Sequence, residues 1–151
     1  MLDLFSRKII GLGMGSRIDS DLVVRSLKQA INQRNPDANL ILHSDRGSQY
    51  TSNKYQQFTK KHRIKISMSK AGCCYDNAVI ESFFHTLKTE HTYFLKFKTR
   101  EEAINSIFEY VEIFYNRKRI HSTLNYLSPS KFEELNFIKH ENLSQDLAAH
   151  I

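Results

Sequence analysis

A chain of 151 residues with 40% hydrophobic and 25% charged residues is one domain's worth and long enough to bury a real core. No apolar run reaches the roughly 20 residues that cross a bilayer, and the N-terminus carries no signal-peptide pattern, which together point to an intracellular protein. The net charge of +6 and a pI near 9.3 favour an anionic partner, and without a broad basic amphipathic helix nucleic acid is favoured over membrane.

In chain order, Leu2-Asp3-Leu4-Phe5 and Lys8 to Met14 are short apolar segments parted by Ser6-Arg7, the pattern of a hairpin. A chain that opens directly inside an apolar strand suggests a neighbouring strand upstream. Asp19-Ser20-Asp21 starts a helix with Val23, Val24, Leu27, Ala30 and Ile31 at helical spacing, ended by Asn35-Pro36-Asp37. Leu40-Ile41-Leu42 predicts a buried strand that delivers Asp45 to a turn at its carboxyl end. A short helix is expected from Ser52 to about His62, packing Tyr55 and Phe58. Ile64, Ile66 and Met68 then alternate with Lys65 and Ser67 as a half-buried strand.

A mobile loop over 69–75, bent at Gly72, leads to Asp76 or Asn77 as the cap of the next helix. That helix divides into an apolar side, Val79, Ile80, Phe83, Phe84 and Leu87, and a polar side, Asn77, Glu81, His85 and Lys88. Thr99-Arg100-Glu101-Glu102 is a capping box opening a long helix whose stripe of Ala103, Ile104, Ile107, Phe108, Val111, Phe114 and Tyr115 predicts core. A short helical turn is expected at Ser128-Pro129-Ser130. The chain thus divides into a core over 1–115, a basic extension over 116–135 and a frayed tail over 136–151.

The chemistry-bearing residues are Asp45, at a strand end, and Glu81, on a helix, two oxygen donors that can converge on a hard divalent cation. Between Arg46 and Tyr75 there is no acid, whereas Arg46, Lys54, Lys60, Lys61, Arg63, Lys65 and Lys70 are cationic. Such a segment suits a polyanion passing a metal site, and equally a solvated basic face. Asn116 to His121, flanked by Tyr115 and Tyr126, suits phosphate contact, and equally a helix C-terminus whose cations offset the dipole. Cys73 and Cys74 are adjacent, unlike the spacing of zinc or redox sites, and the seven histidines form no metal motif.

Asp45 and Glu81 with 35 residues between them, and the stretches HSDRGSQYTS, YDNAVIESFFHTLKTE and YNRKRIHSTLNYLSPSKFE, resemble the DDE transposases related to retroviral integrases. More narrowly, the chain from Leu2 to about Leu135 is similar to the second-reading-frame protein of the insertion-sequence three family. The resemblance implies an α/β, ribonuclease-H-like integrase catalytic core with a mixed central sheet, its first strand missing from these residues. It implies metal-dependent polynucleotidyl transfer at transposon ends, with Asp45 and Glu81 as two of three acidic ligands for a two-ion Mg²⁺ or Mn²⁺ site. The DNA-contacting set is then Arg46, Lys70, Asn77, Lys88, Arg117, Lys118, Arg119 and His121.

The implied partners are the transposon ends and target DNA, further copies of the chain, and a helix-turn-helix protein from the first reading frame. The implied location is the bacterial cytoplasm, at the nucleoid and away from membrane. The family's first catalytic Asp lies upstream of the segment matched by Leu2 to Arg7, so the expectation is a truncated core, inactive by itself. Asp3, on the following strand, reads as structural, pairing with Arg7 or accepting backbone amides. The alternatives are a non-catalytic DNA-binding or oligomerising module that interferes with a full-length transposase, and an inert relic.

Overall fold

The computed structural model describes residues 1–70 and 77–148, without side chains for 139–148. It comprises two compact units, one of Met1–Leu2 with Ile10–Phe97, the other of Asp3–Ile9 with Lys98–Ile151.

The first unit is built on helix α1 (Ser20–Arg34). The Asp19 carboxylate caps it by accepting the Leu22 N–H at 2.8 Å, and Asn35 ends it in the left-handed conformation, φ 42°. Strands β1 (Ile41–Ser44) and β2 (Lys65–Met68) pair in parallel, Ile41 opposite Lys65 through Ser44 opposite Met68. Between them run α2 (Ser48–Thr51) and α3 (Asn53–Lys61), the latter capped by the Ser52 hydroxyl. A parallel pair requires such a crossover, and here α2 and α3 pack on α1, with α3 also against β2. Val23, Leu27, Tyr55 and Ile64 form the core, with Val24, Ile31, Leu42, Tyr50 and Phe58 packed around them. Each such side chain contributes about 1.5–3 kcal/mol by leaving water. The extended segment before α1 lies against that helix, close enough that a Cβ on Gly11 would collide with the Ser26 carbonyl oxygen. Helix α4 (Ala78–Glu90) closes the unit, burying Phe83 and Leu87.

Several expectations change. The strand through Leu40 to Leu42 is not buried: Ile41 is 67% exposed and only Ser44 is buried, because β1 has β2 alone as a neighbour among the described residues. The amino-terminal hairpin shrinks to single bridge positions at Leu2 and Ile9. Leu12 to Met14 is not a strand but lies along α1, where the Gln29 side chain accepts the Leu12 N–H at 2.9 Å.

In the second unit, α5 (Arg100–Glu109) is capped by the Thr99 hydroxyl, while the Glu102 carboxylate accepts the N–H of Lys98 at 2.7 Å. The helix continues into a wider π-helical turn over Tyr110–Tyr115, with the Asn116 N–H reaching back to the Val111 carbonyl. The extra residue in that turn rotates the side chains beyond it about the helix axis. Val111, Tyr115 and Asn116 are buried together, whereas Phe114, and Phe108 before the turn, are 42% and 50% exposed and are not the core predicted. Asn116 pairs through its side-chain amide with both backbone groups of Ile9, each bond 2.9 Å, as a neighbouring strand would. Helix α6 spans Pro129–Ala148, far longer than the short turn expected. Among the described residues, no helix is long and apolar enough to cross a membrane.

Candidate functional site

The site grows from the carboxyl ends of the two parallel strands. Just past β1 the chain turns, and the Asp45 carboxylate accepts the Gly47 N–H at 2.8 Å, fixing the turn while remaining exposed. Tyr50, on α2, has its phenol pushed up, first by burial and then by the negative charge of Asp45. Arg46 folds back across the sheet end, its Nε donating to the Ser69 carbonyl at 2.9 Å. Glu81 lies exposed in the first turn of α4, where the helix dipole favours a negative charge. Among the described residues, neither Asp45 nor Glu81 forms an ion pair.

Between the sheet end and α4 lies a polar network. His43 and Ser67 face each other in the strand register, and the His43 ring reaches Ser67 Oγ through Nδ1 at 2.9 Å and Ser69 Oγ through Nε2 at 3.1 Å. The Ser69 hydroxyl donates to the Ser44 carbonyl at 3.3 Å and accepts from Asn77 Nδ2 at 3.1 Å. Ser69 is 5% exposed. Asn77 therefore does not cap α4 with its side chain as predicted, because its amide is turned toward Ser69. The other proposed cap, Asp76, and the loop residues Gly72, Cys73 and Cys74 lie outside the described residues. Sequence reading missed His43, Ser67 and Ser69. The signal was there: Ser67 and Ser69 are two apart on one face of an extended segment, so both face the histidine of the adjacent strand.

Lys70 and Lys88 are exposed, Lys88 in the last turn of α4 with His85 exposed one turn before it. In the second unit Arg117 and Lys118 are exposed, whereas Arg119 is half-buried with its guanidinium 5.9 Å from the Tyr115 ring centre. Its Nη1 lies 3.4 Å from His121 Nε2, and the His121 ring meets Tyr115 edge-on at 5.1 Å. Arg119 and His121 thus serve the packing of the turn closed by the His121–Leu127 bridge. Asp3 has the structural role expected of it, its carboxylate accepting the N–H groups of Phe5 at 2.9 Å and Ser6 at 3.3 Å. Among the described residues, no three His, Cys, Asp or Glu side chains gather as a metal-binding group; Asp45 and Glu81 are two donors.

Residues 1–74 and 81–137 match two family models, each described as an integrase core domain, and the chain belongs to that family. The fold agrees. The HTLV-2 integrase catalytic core in complex with magnesium (trimeric form) superposes with a TM-score of 0.63 at 16% identity, over 87% of this chain and 80% of that one. The catalytic core of BIV integrase gives 0.55 at 20% identity, over 81% and 76%.

Within the family, the chain is similar to transposases of insertion sequences. It is 47% identical over 135 residues to the transposase for insertion sequence element IS904 of Lactococcus lactis, covering 89% of this chain and 53% of that protein. It is 45% identical over 136 residues to the transposase InsF for insertion sequence IS3A of Escherichia coli K12, covering 90% and 47%. The chain spans about half the length of these relatives.

Proposed function

We propose that the chain is the catalytic-core portion of a transposase, acting on the ends of a mobile element and on target DNA by metal-dependent polynucleotidyl transfer. The observation that carries this reading is the pair of exposed carboxylates, without ion-pair partners among the described residues, Asp45 after β1 and Glu81 in the first turn of α4, in an integrase core. Their chemistry fits a hard cation: both are open to solvent, and Asp45 keeps lone pairs beyond the one that takes the Gly47 amide. Bound there, Mg²⁺ or Mn²⁺ would activate a nucleophilic oxygen and stabilise charge on the leaving one.

DNA would run over Arg46, Lys70, Asn77 and Lys88 in the first unit and over Arg117 and Lys118 in the second, with Arg119 and His121 shaping the turn beside them. The working form would be an assembly of several copies in the cytoplasm at the nucleoid, with a helix-turn-helix protein from the first reading frame reading the element's ends. For this polypeptide the expected outcome is salt-sensitive binding to duplex DNA.

The test is affinity for duplex DNA between 50 and 200 mM salt. About four phosphate contacts would weaken binding on the order of 100-fold across that range, and Lys88→Ala or Lys118→Ala would each lower the salt slope by about one. Affinity indifferent to salt would contradict the reading.

A further inference from the structure

The Ser69 hydroxyl is filled to capacity. It has one hydrogen and two lone pairs; the hydrogen goes to the Ser44 carbonyl, one lone pair takes the Asn77 amide, and the other is left for His43. Only a donor can fill that last place. His43 therefore carries its hydrogen on Nε2, and its Nδ1, when the ring is neutral, accepts from the Ser67 hydroxyl. The backbone of Ser69 is engaged as well, its N–H donating to the Ser44 carbonyl at 3.0 Å and its carbonyl accepting from Arg46 at 2.9 Å. One residue, 5% exposed, thus ties the last residue of β1, the residue after Asp45, and the residue that opens α4.

We propose that Ser69 is the positioning residue of the carboxylate site, holding the Asp45 turn against β2 and setting the approach of α4 and its Glu81 through Asn77. The role rests on the reading of Asp45 and Glu81 as a metal pair. The physical need is plain. Two ligands on separate elements bind one ion only if those elements are held within a fraction of an ångström, and Asp45 and Glu81 share no direct bond that would do so. The Asn77 amide sits one helical turn before Glu81, so a bond at Asn77 fixes both the rotation and the start of α4.

The test uses the 151-residue chain and Mn²⁺, with free ion followed by electron paramagnetic resonance and the folded state by circular dichroism. Ser69→Ala weakens Mn²⁺ binding by about 10-fold, the scale of a lost supporting contact, and Ser69→Thr, which keeps the hydroxyl, restores it to within about 2-fold. Asn77→Ala weakens binding in the same way without opening the core, and combining it with Ser69→Ala adds little, because the Ser69–Asn77 bond is lost in both. In nitrogen-15 spectra the His43 ring shows its hydrogen on Nε2, and Ser69→Ala releases that hydrogen to exchange. Affinities within 2-fold of the unsubstituted chain in both Ser69→Ala and Asn77→Ala, while Asp45→Ala abolishes binding, overturn the positioning role. Binding that survives Asp45→Ala and Glu81→Ala overturns the metal pair and the positioning role together, and those two substitutions tell the failures apart.

Discussion

In the unit built on residues 10–97, Asp45 and Glu81 stand exposed and without an ion pair among the described residues, whereas in the unit built on 98–151 Glu133 is 7% exposed and binds the Lys8 ammonium at 2.9 Å. In the second unit Asn116 is likewise satisfied, 1% exposed with its side-chain amide paired at both ends to Ile9. A buried charge without a partner costs several kcal/mol, so a carboxylate placed for stability is found paired. A carboxylate left solvated contributes little to the fold and keeps its lone pairs for a cation. The difference separates structural acids from candidate functional ones by partner and exposure.

The sharpest way to break that contrast is to remove the paired groups. Asn116→Ala strands both backbone groups of Ile9, itself 2% exposed, and should cost about 3 kcal/mol in urea unfolding. Glu133→Ala leaves the Lys8 ammonium without its counter-charge; since that side chain keeps 19% of its exposure, the loss should be about 2 kcal/mol. Losses under about 0.5 kcal/mol in both would erase the distinction. Tyr55→Phe should come next. The Tyr55 hydroxyl is buried without a partner among the described residues, and burial, then Tyr50, pushes its phenol up to about 12. Folding therefore favours the neutral phenol, a contribution present below pH 10, the unfolded value, and lost as pH rises toward 12. Phe should shift neutral-pH stability by no more than about 1 kcal/mol and flatten the alkaline decline between those limits. Smallest of all, Asp45→Ala or Glu81→Ala should change stability by at most about 0.5 kcal/mol.

Much of the fold was legible because helix caps and periodicity are local. Asp19, Ser52 and Thr99 cap as their sequences imply. What sequence could not show was set by partners. The exposure of Ile41 depends on which strands flank β1, and the outward turn of Phe114 depends on a π-helical turn that no residue spacing announces. At the site, the elements carrying Asp45 and Glu81 were readable from turn and helix signals. The Ser69 network was not, because its bonds join residues up to 26 positions apart in the chain and reassign Asn77 from cap to crosslink.

Mn²⁺ titration of the 151-residue chain and its Asp45→Ala and Glu81→Ala variants tests the metal pair most directly. One weak site is expected, lost in either variant while the unfolding midpoint stays put, as two carboxylates completed by water require. Equal affinity in all three proteins would place the metal elsewhere and contradict the pairing of Asp45 with Glu81.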